Sequence, residues 1–515
     1  MFFLALALAP LAVLVYKFII YPNFLSPLRH LPGPPLGHPI LGQLPTLHGP
    51  DAGFIQKSWF KKYGPIVRIQ APIGTEMILL EDPKDIVACL ENQKGMQKAS
   101  SALYRHIAAF VAGDGLLSFE GDAHDRLRKI LNPAFSLTNL TKQMAFYPEI
   151  INNFTTALDD ALKTSDTLPM CDYLAKAALD ILCKGTFNYD SGALKNESKA
   201  MVKAYSKLAP LQNARTYAAL TIIDMIPHGL DFVLSKWFLS SFSSLLSKVE
   251  PLEFLSIATR SMTIIRQSSL EILEENMSSD NHGPKRDVMS TILRAHKDGK
   301  GRDKLKTSEL PDQVLTFLTG GHETVTAALS WILWFIAKHP ECQNRLRREI
   351  HAVSGGDVIE DYTRVRDLPY LDAVINESMR LLPSSPILRR QAMEPTEVRG
   401  VTLPTGTMVY LFIRNANSFE EVWGPDADKF NPERWENLPA GLSAAQAKLS
   451  FGRGYRTCIG RNMALQEMKA LAASLVNSYE LSPAHEDQAI HAEYLITYKP
   501  ADGLPLRLRK LGEPR

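Results

Sequence analysis

Phe451 to Gly460 reads FGRGYRTCIG, and Cys458 is the residue in it that could do chemistry. A cysteine in a glycine-rich turn, two residues after Arg456 and just before a helical pattern, is what a thiolate-ligated metal or haem requires. Gly452, Gly454 and Gly460 lack a Cβ, so they can take positive φ and let a large planar cofactor approach the backbone. Amides of the turn and of the helix start point toward the sulfur and lower its pKa. Arg456 offers a planar fork for a carboxylate such as a propionate. Phe451 shields the sulfur from water, and that apolar shell tunes a thiolate-bound iron.

The other reading of a lone cysteine is a small buried hydrophobe, and it is taken for Cys89, Cys171, Cys183 and Cys342. None has a CxxC neighbour. His339 precedes Cys342 across Pro340 with no further ligand nearby, so zinc and iron–sulfur sites have little support. At ordinary residue frequencies the pattern FxxGxRxCxG arises by chance on the order of once in ten thousand chains of this size, which sets Cys458 apart. The segment resembles the haem-binding loop of the cytochrome P-450 monooxygenases at every fixed position. That resemblance implies that Cys458 is the proximal ligand of haem b and that Arg456 pairs with a haem propionate.

A distal element must face such a site, and Leu310 to His339 is the long helix candidate. Its centre, FLTGGHETVTAALSW, sets Gly320 and Gly321 beside Glu323 and Thr324. A glycine pair permits a kink with room for a small ligand, beside which an acid and a hydroxyl can relay protons. The alternative is close helix packing with the threonine bonded back to the preceding turn. By resemblance this is the family's central helix, which assigns Gly321 the bend over the haem and Glu323 and Thr324 the activation of dioxygen.

Two further stretches position the loop. In SFEGDAHDRLRKILN, His124 and Arg128 lie four apart on one helical face and could present two cations to an anion, or belong to an amphipathic surface helix. The resemblance makes them propionate contacts. In LDAVINESMRLL, Glu377 and Arg380 face the same side; taken alone, E-x-x-R usually means a surface ion pair of little worth. The family pattern locks them to the arginine of a downstream segment, here Arg434 of Pro432–Trp435, and gives Arg390 another propionate. Ser384 to Leu388 would be the adjoining substrate loop, and the apolar, aromatic stretch from Ala209 to Phe242 the pocket roof or core-facing helices.

The 515 residues carry a formal net charge of +2 with both signs dispersed, which leaves no electrostatic footprint for nucleic acid. Five irregularly spaced cysteines argue against a disulfide scaffold. Residues 1–22, apolar except for Lys17, predict a membrane-crossing anchor that places the body on the cytoplasmic face of the endoplasmic reticulum. A proline-rich hinge over 23–42 and a catalytic domain over 43–515 follow. Strands are expected at 66–80 and 398–412, a helix at 463–474 and a hairpin at 491–508.

The fold expected is therefore mainly α with a small β portion, one large haem-binding domain of the cytochrome P-450 type. The resemblance implies a monooxygenase that inserts one atom of dioxygen into a lipophilic substrate by hydroxylation or epoxidation, in the style of fungal secondary metabolism. No dinucleotide or flavin motif is present, so electrons would come from a separate NADPH-fed membrane flavoprotein reductase, with cytochrome b5 as a further donor. The alternatives are a reductase-independent haem-thiolate isomerase or dehydratase, and a non-enzymatic membrane-anchored haem or lipid binder.

Overall fold

A computed structural model of the chain describes residues 12 and 15–512, except 50–51, 99–101, 196–198, 212, 227, 236, 239–240, 243–245, 247, 249–252, 279–286, 356–358, 440–446 and 495. Its axis is the helix Leu310–Lys338. Pro311 and Asp312 suit a first turn, where an N–H is not needed and a negative charge is favoured, and the helix stops at His339 ahead of Pro340. Most of its central and C-terminal residues are buried, because helices pack on several sides: Met170–Phe187, Glu253–Ser278, Pro369–Leu381 and Arg461–Ser478. A helix that is apolar nearly all round must lie in such an interior.

The β portion is small. Its main sheet runs in the order Ile66–Gln70, Glu76–Leu80, Met408–Phe412, Ile387–Ala392, Met96–Lys98, with only the second and third strands parallel. The hairpin expected over 491–508 is present in its first half, where Ala492–Tyr494 pairs antiparallel with Tyr498–Pro500, and is corrected in its second, where Pro505–Lys510 joins Tyr479–Pro483 and Thr167–Pro169 in another sheet. The alternation along 505–510 is real, but its partners lie far away in sequence. The proline-rich segment is not a free spacer: the Arg68 amide donates to Pro32 O at 2.9 Å and the Gln43 amide to Gln70 O at 2.8 Å, which lays it along the first strand.

The membrane-crossing helix expected over 1–22, and the endoplasmic reticulum location built on it, are corrected. Among the described residues no helix is long and apolar enough to cross a membrane. Residues 1–11, 13 and 14 of that stretch lie outside the described residues. Tyr16–Leu25 is wound as a π-helix containing Pro22, and ten residues would reach at most about half of the roughly 30 Å hydrocarbon core.

Glu377 and Arg380 sit on Pro369–Leu381, 0% and 1% exposed. Burial at that level requires full pairing. Glu377 accepts from Arg380 Nε (2.8 Å) and Nη2 (2.9 Å), Arg434 Nε (2.8 Å), the Asn431 amide (2.9 Å) and Trp435 Nε1 (3.0 Å). Arg380 spends its remaining donors on the carbonyls of Asn417, Ala427 and Lys429. Trp435 is thus a donor as well as a packing group, which its indole N–H could have signalled. Glu377→Ala should lose about 3–5 kcal/mol, because buried Arg380 would be left without its anion and Arg434 with Asp426 alone. Trp435→Phe should lose about 1 kcal/mol. Soluble yield and the thermal midpoint of the purified variants check both.

Candidate active site

The loop 451–460 is shaped by its glycines. Gly452 and Gly454 take φ of +69° and +73°, and a Cβ on Gly454 would meet Leu90 O at 2.4 Å. Gly460 takes an ordinary φ of −82° as the N-cap of Arg461–Ser478, so the expectation of positive φ there is corrected; its Cβ position opens on free space. The Cys458 amide donates to Phe451 O at 2.9 Å and closes the loop, and the Phe451 ring packs half-buried on the core, with the Arg461 guanidinium over it at 5.7 Å. The Cys458 side chain is exposed. Burial by the surrounding protein nonetheless pushes the thiol pKa up, opposed by the Gly460 amide and the charges of Arg128 and Arg461. An atom that is both accessible and desolvated faces an enclosed space.

Cations line the approach to that space. Arg128 Nη1 donates to Thr457 O at 2.5 Å, which ties Gly121–Leu131 to the cysteine loop. Arg456 pairs with the Glu120 carboxylate at 2.6 Å and donates to the carbonyls of Leu116 and Phe119, while its buried Nε has no partner. His124 is 2% exposed, bonded to Asp125 and edge-on to Tyr455. Burial, then the charge of Arg456, lowers its pKa to about 4 against the pull of Asp125. The expected pair of cations on this helix is therefore corrected to one cation and one neutral imidazole. Arg390 is buried on Ile387–Ala392, with Nη1 donating to Arg389 O at 2.9 Å.

On the central helix the glycine pair divides. Gly321 lies against Leu182 of Met170–Phe187, where an added Cβ would come within 2.5 Å of a Leu182 methyl, so it serves close packing. Gly320 has nothing within 4 Å of its Cβ position and is exposed in mid-helix. The α-helical assignment runs unbroken through both residues. Thr324, half-buried, donates its hydroxyl to Gly320 O at 2.9 Å, which is the back-bonded alternative. Glu323 is half-buried next to His322, which burial and a 2.8 Å contact to Leu318 O hold in the core. Ser384 Oγ donates to Thr324 O at 2.8 Å and fixes the loop 384–388 to the helix. A cavity of about 130 Å³ is lined by Thr319 from the helix, Ile107, Val111 and Leu117 before it, Leu388 and Arg390 beyond it, and Tyr217 from the stretch read as a roof. A Cβ added to Gly452 of the cysteine loop would stand 3.9 Å from a methyl of Leu388, one of the residues that line the cavity.

Among the described residues no group of three or more His, Cys, Asp or Glu could hold a metal ion. One sulfur suffices only when a cofactor brings its own donors, and the residues present fit haem. The sulfur is accessible, Gly320 leaves room, and Arg456 already takes a carboxylate. Spacing alone missed Glu120, whose only signal was an acid just ahead of a basic helix.

The cytochrome P450 family model matches residues 32–501. The chain belongs to the cytochrome P-450 family. Its fungal relatives include cytochrome P-450 monooxygenase sphH of Aspergillus fumigatus, 27% identical over 95% of this chain and 90% of that protein. Cytochrome P-450 monooxygenase 91 of Postia placenta is 28% identical over 89% and 88%, and ganoderic acid synthetase CYP5150L8 of Ganoderma lucidum 28% over 92% of each. This P-450 is a haem-thiolate monooxygenase that inserts oxygen into organic substrates, and it needs dioxygen and an electron donor.

Gly454→Ala should strain the loop by about 1–3 kcal/mol at positive φ, besides its clash with Leu90 O. The expected outcome is folded protein with less than half the wild-type haem content, measured as haem per polypeptide by pyridine haemochrome assay.

Proposed function

We propose that the Cys458 thiolate would hold the haem iron and that the P-450 oxidises a lipophilic substrate by hydroxylation or epoxidation, with residues 43–515 as the catalytic domain. The observation that carries this reading is the exposed Cys458 sulfur in a loop closed onto Phe451 O, with the Arg128 and Arg456 guanidiniums beside that loop. When bound, haem supplies an iron centre at which dioxygen is activated. Arg456, Arg128 and Arg390 are the charges for its propionates, and neutral His124 offers an imidazole N–H. Arg456 would exchange the Glu120 carboxylate for a propionate.

On the central helix, the Thr324 proton is committed to Gly320 O, so Oγ1 presents its lone pairs as an acceptor. A water donating to Oγ1 would be held beside the open turn, and Glu323 is the titratable group next to it for renewing the proton. Ile107, Val111, Leu117 and Ile387 keep bulk water out and favour a lipophilic body. Electrons would come from an NADPH-fed flavoprotein reductase, with cytochrome b5 able to supply a second. Carrying both Glu323 and Thr324 favours oxidation over isomerisation, because rearrangement needs no proton relay.

Cys458→His should still bind haem, but its reduced carbon monoxide complex should carry the spectrum of an imidazole-bound iron. A wild-type complex that already has that spectrum would refute the ligand assignment. Thr324→Ala should keep oxygen uptake while product per oxygen consumed falls severalfold; unchanged coupling would refute the relay.

A further inference from the structure

His48 ends the short helix Leu44–Leu47, yet its ring lies among side chains from three distant elements. The segment that carries it is fixed: the Gln43 amide donates to Gln70 O, and Gln56 Nε2 to Thr46 O at 2.9 Å. The ring is 2% exposed, stacked on Tyr217 at 3.8 Å and 25° and on Tyr494 at 5.7 Å and 6°. Both tyrosines line the cavity. Tyr217 belongs to Ala214–Asp224, a helix of the roof stretch, whereas Tyr494 belongs to a strand and donates its hydroxyl to Ile387 O at 3.1 Å. The imidazole is thus a layer between a roof residue and the sheet wall.

A third contact sets the turn of the ring. Arg389 Nη2 lies 3.3 Å from His48 Nε2. A guanidinium only donates, so Nε2 accepts and the proton sits on Nδ1. Burial, then the Arg389 charge, holds the histidine pKa well below its ordinary value, so the ring is neutral. Buried Nδ1 has no partner among the described residues, and an unpaired N–H costs stability. Phenylalanine here would stack without that cost but give Arg389 nothing to donate to, and glutamine would accept from Arg389 but could not stack. Histidine does both, as a ring that holds a geometry must.

We propose that His48 is a positioning residue that latches the roof, its ring clamping Tyr217 toward the sheet so that the cavity takes slender lipophilic molecules and resists broad ones. This deepens the proposed function and rests on its lipophilic substrate. Tyr217 is one wall of the cavity of about 130 Å³, with Ile107 and Val111 of Ala102–Ala112 and Thr319 of the central helix among the others. A body broad in two dimensions must displace Tyr217 and break the stack, and a slender one need not. The worth of one aromatic pair sets that penalty at about threefold to tenfold in affinity.

The test uses purified full-length holoprotein and two labelled probes, each with ten carbons and one hydroxyl: slender decan-1-ol and broad 1-adamantanol. Equilibrium dialysis gives the dissociation constants, and each probe is compared between wild type and variants, so the different solubilities of the two cancel. His48→Gln should tighten 1-adamantanol about threefold to tenfold and leave decan-1-ol binding and haem content unchanged. His48→Phe, which keeps the rings stacked, should bind both probes as the wild type does. Tyr217→Ala should tighten 1-adamantanol at least as much, and adding His48→Gln to it should change nothing further, because the latch acts through Tyr217. A role in stability alone would lower the thermal midpoint without this selectivity or this non-additivity. Unchanged 1-adamantanol binding in His48→Gln, equal tightening in His48→Phe, or additive effects in the double variant overturns the latch. If His48→Gln does not fold, Tyr217→Ala and His48→Phe decide: unaltered 1-adamantanol binding in the first, or tightened binding in the second, overturns it. A wild type that binds neither probe overturns the lipophilic-substrate reading and the latch with it, whereas binding without these effects of the variants overturns the latch alone.

Discussion

The Glu377 carboxylate is the joint on which the cysteine loop hangs. It gathers Arg380 from its own helix and Arg434, Trp435 and the Asn431 amide from the irregular segment that follows the sheet. Irregular backbone has few hydrogen bonds of its own, so such a segment holds one shape only where side chains over-determine it. Arg380 grips the carbonyls of Asn417 and Ala427, the Asn417 amide donates to Ser450 Oγ, and Ser450 donates to Met379 O. Ser450 adjoins Phe451, whose carbonyl closes the loop on the Cys458 amide. An unbroken path of polar contacts thus runs from a buried ion cluster to the backbone that carries the sulfur.

On the distal side the problem is to open a helix without breaking it. Gly321 lets Met170–Phe187 approach closely, and that contact pins the helix from behind. Gly320, a fraction of a turn away, contributes the open space. Its carbonyl is satisfied by Thr324 as well as by the helix, so the exposed turn does not leave an unpaired acceptor in an apolar wall. Division of labour between adjacent glycines explains how the helix stays unbroken while offering room.

The fold class was legible because it follows from long apolar helical patterns and few strand runs, and the motif residues could be named because their spacings are local. What could not be read is whatever depends on a distant partner. Gly320 and Gly321 are indistinguishable until Leu182 is placed on one side of them. His124 reads as a cation until burial beside Arg456 is known. Pro505–Lys510 alternates as expected of a strand, but its pairing with Tyr479–Pro483 and Thr167–Pro169 is a tertiary fact. Glu120 and His48 carry no motif at all; the one matters through Arg456, the other through Arg389 and the rings it stacks on.

Those arginines show how the companion of a guanidinium decides what it can bind. Arg380 and Arg434 share Glu377 so completely that no ligand could compete, and their charge is purely structural. Arg456 holds Glu120 in an ion pair at 2.6 Å, a looser arrangement than that of Glu377, because neither buried Glu120 oxygen gains a hydrogen bond among the described residues.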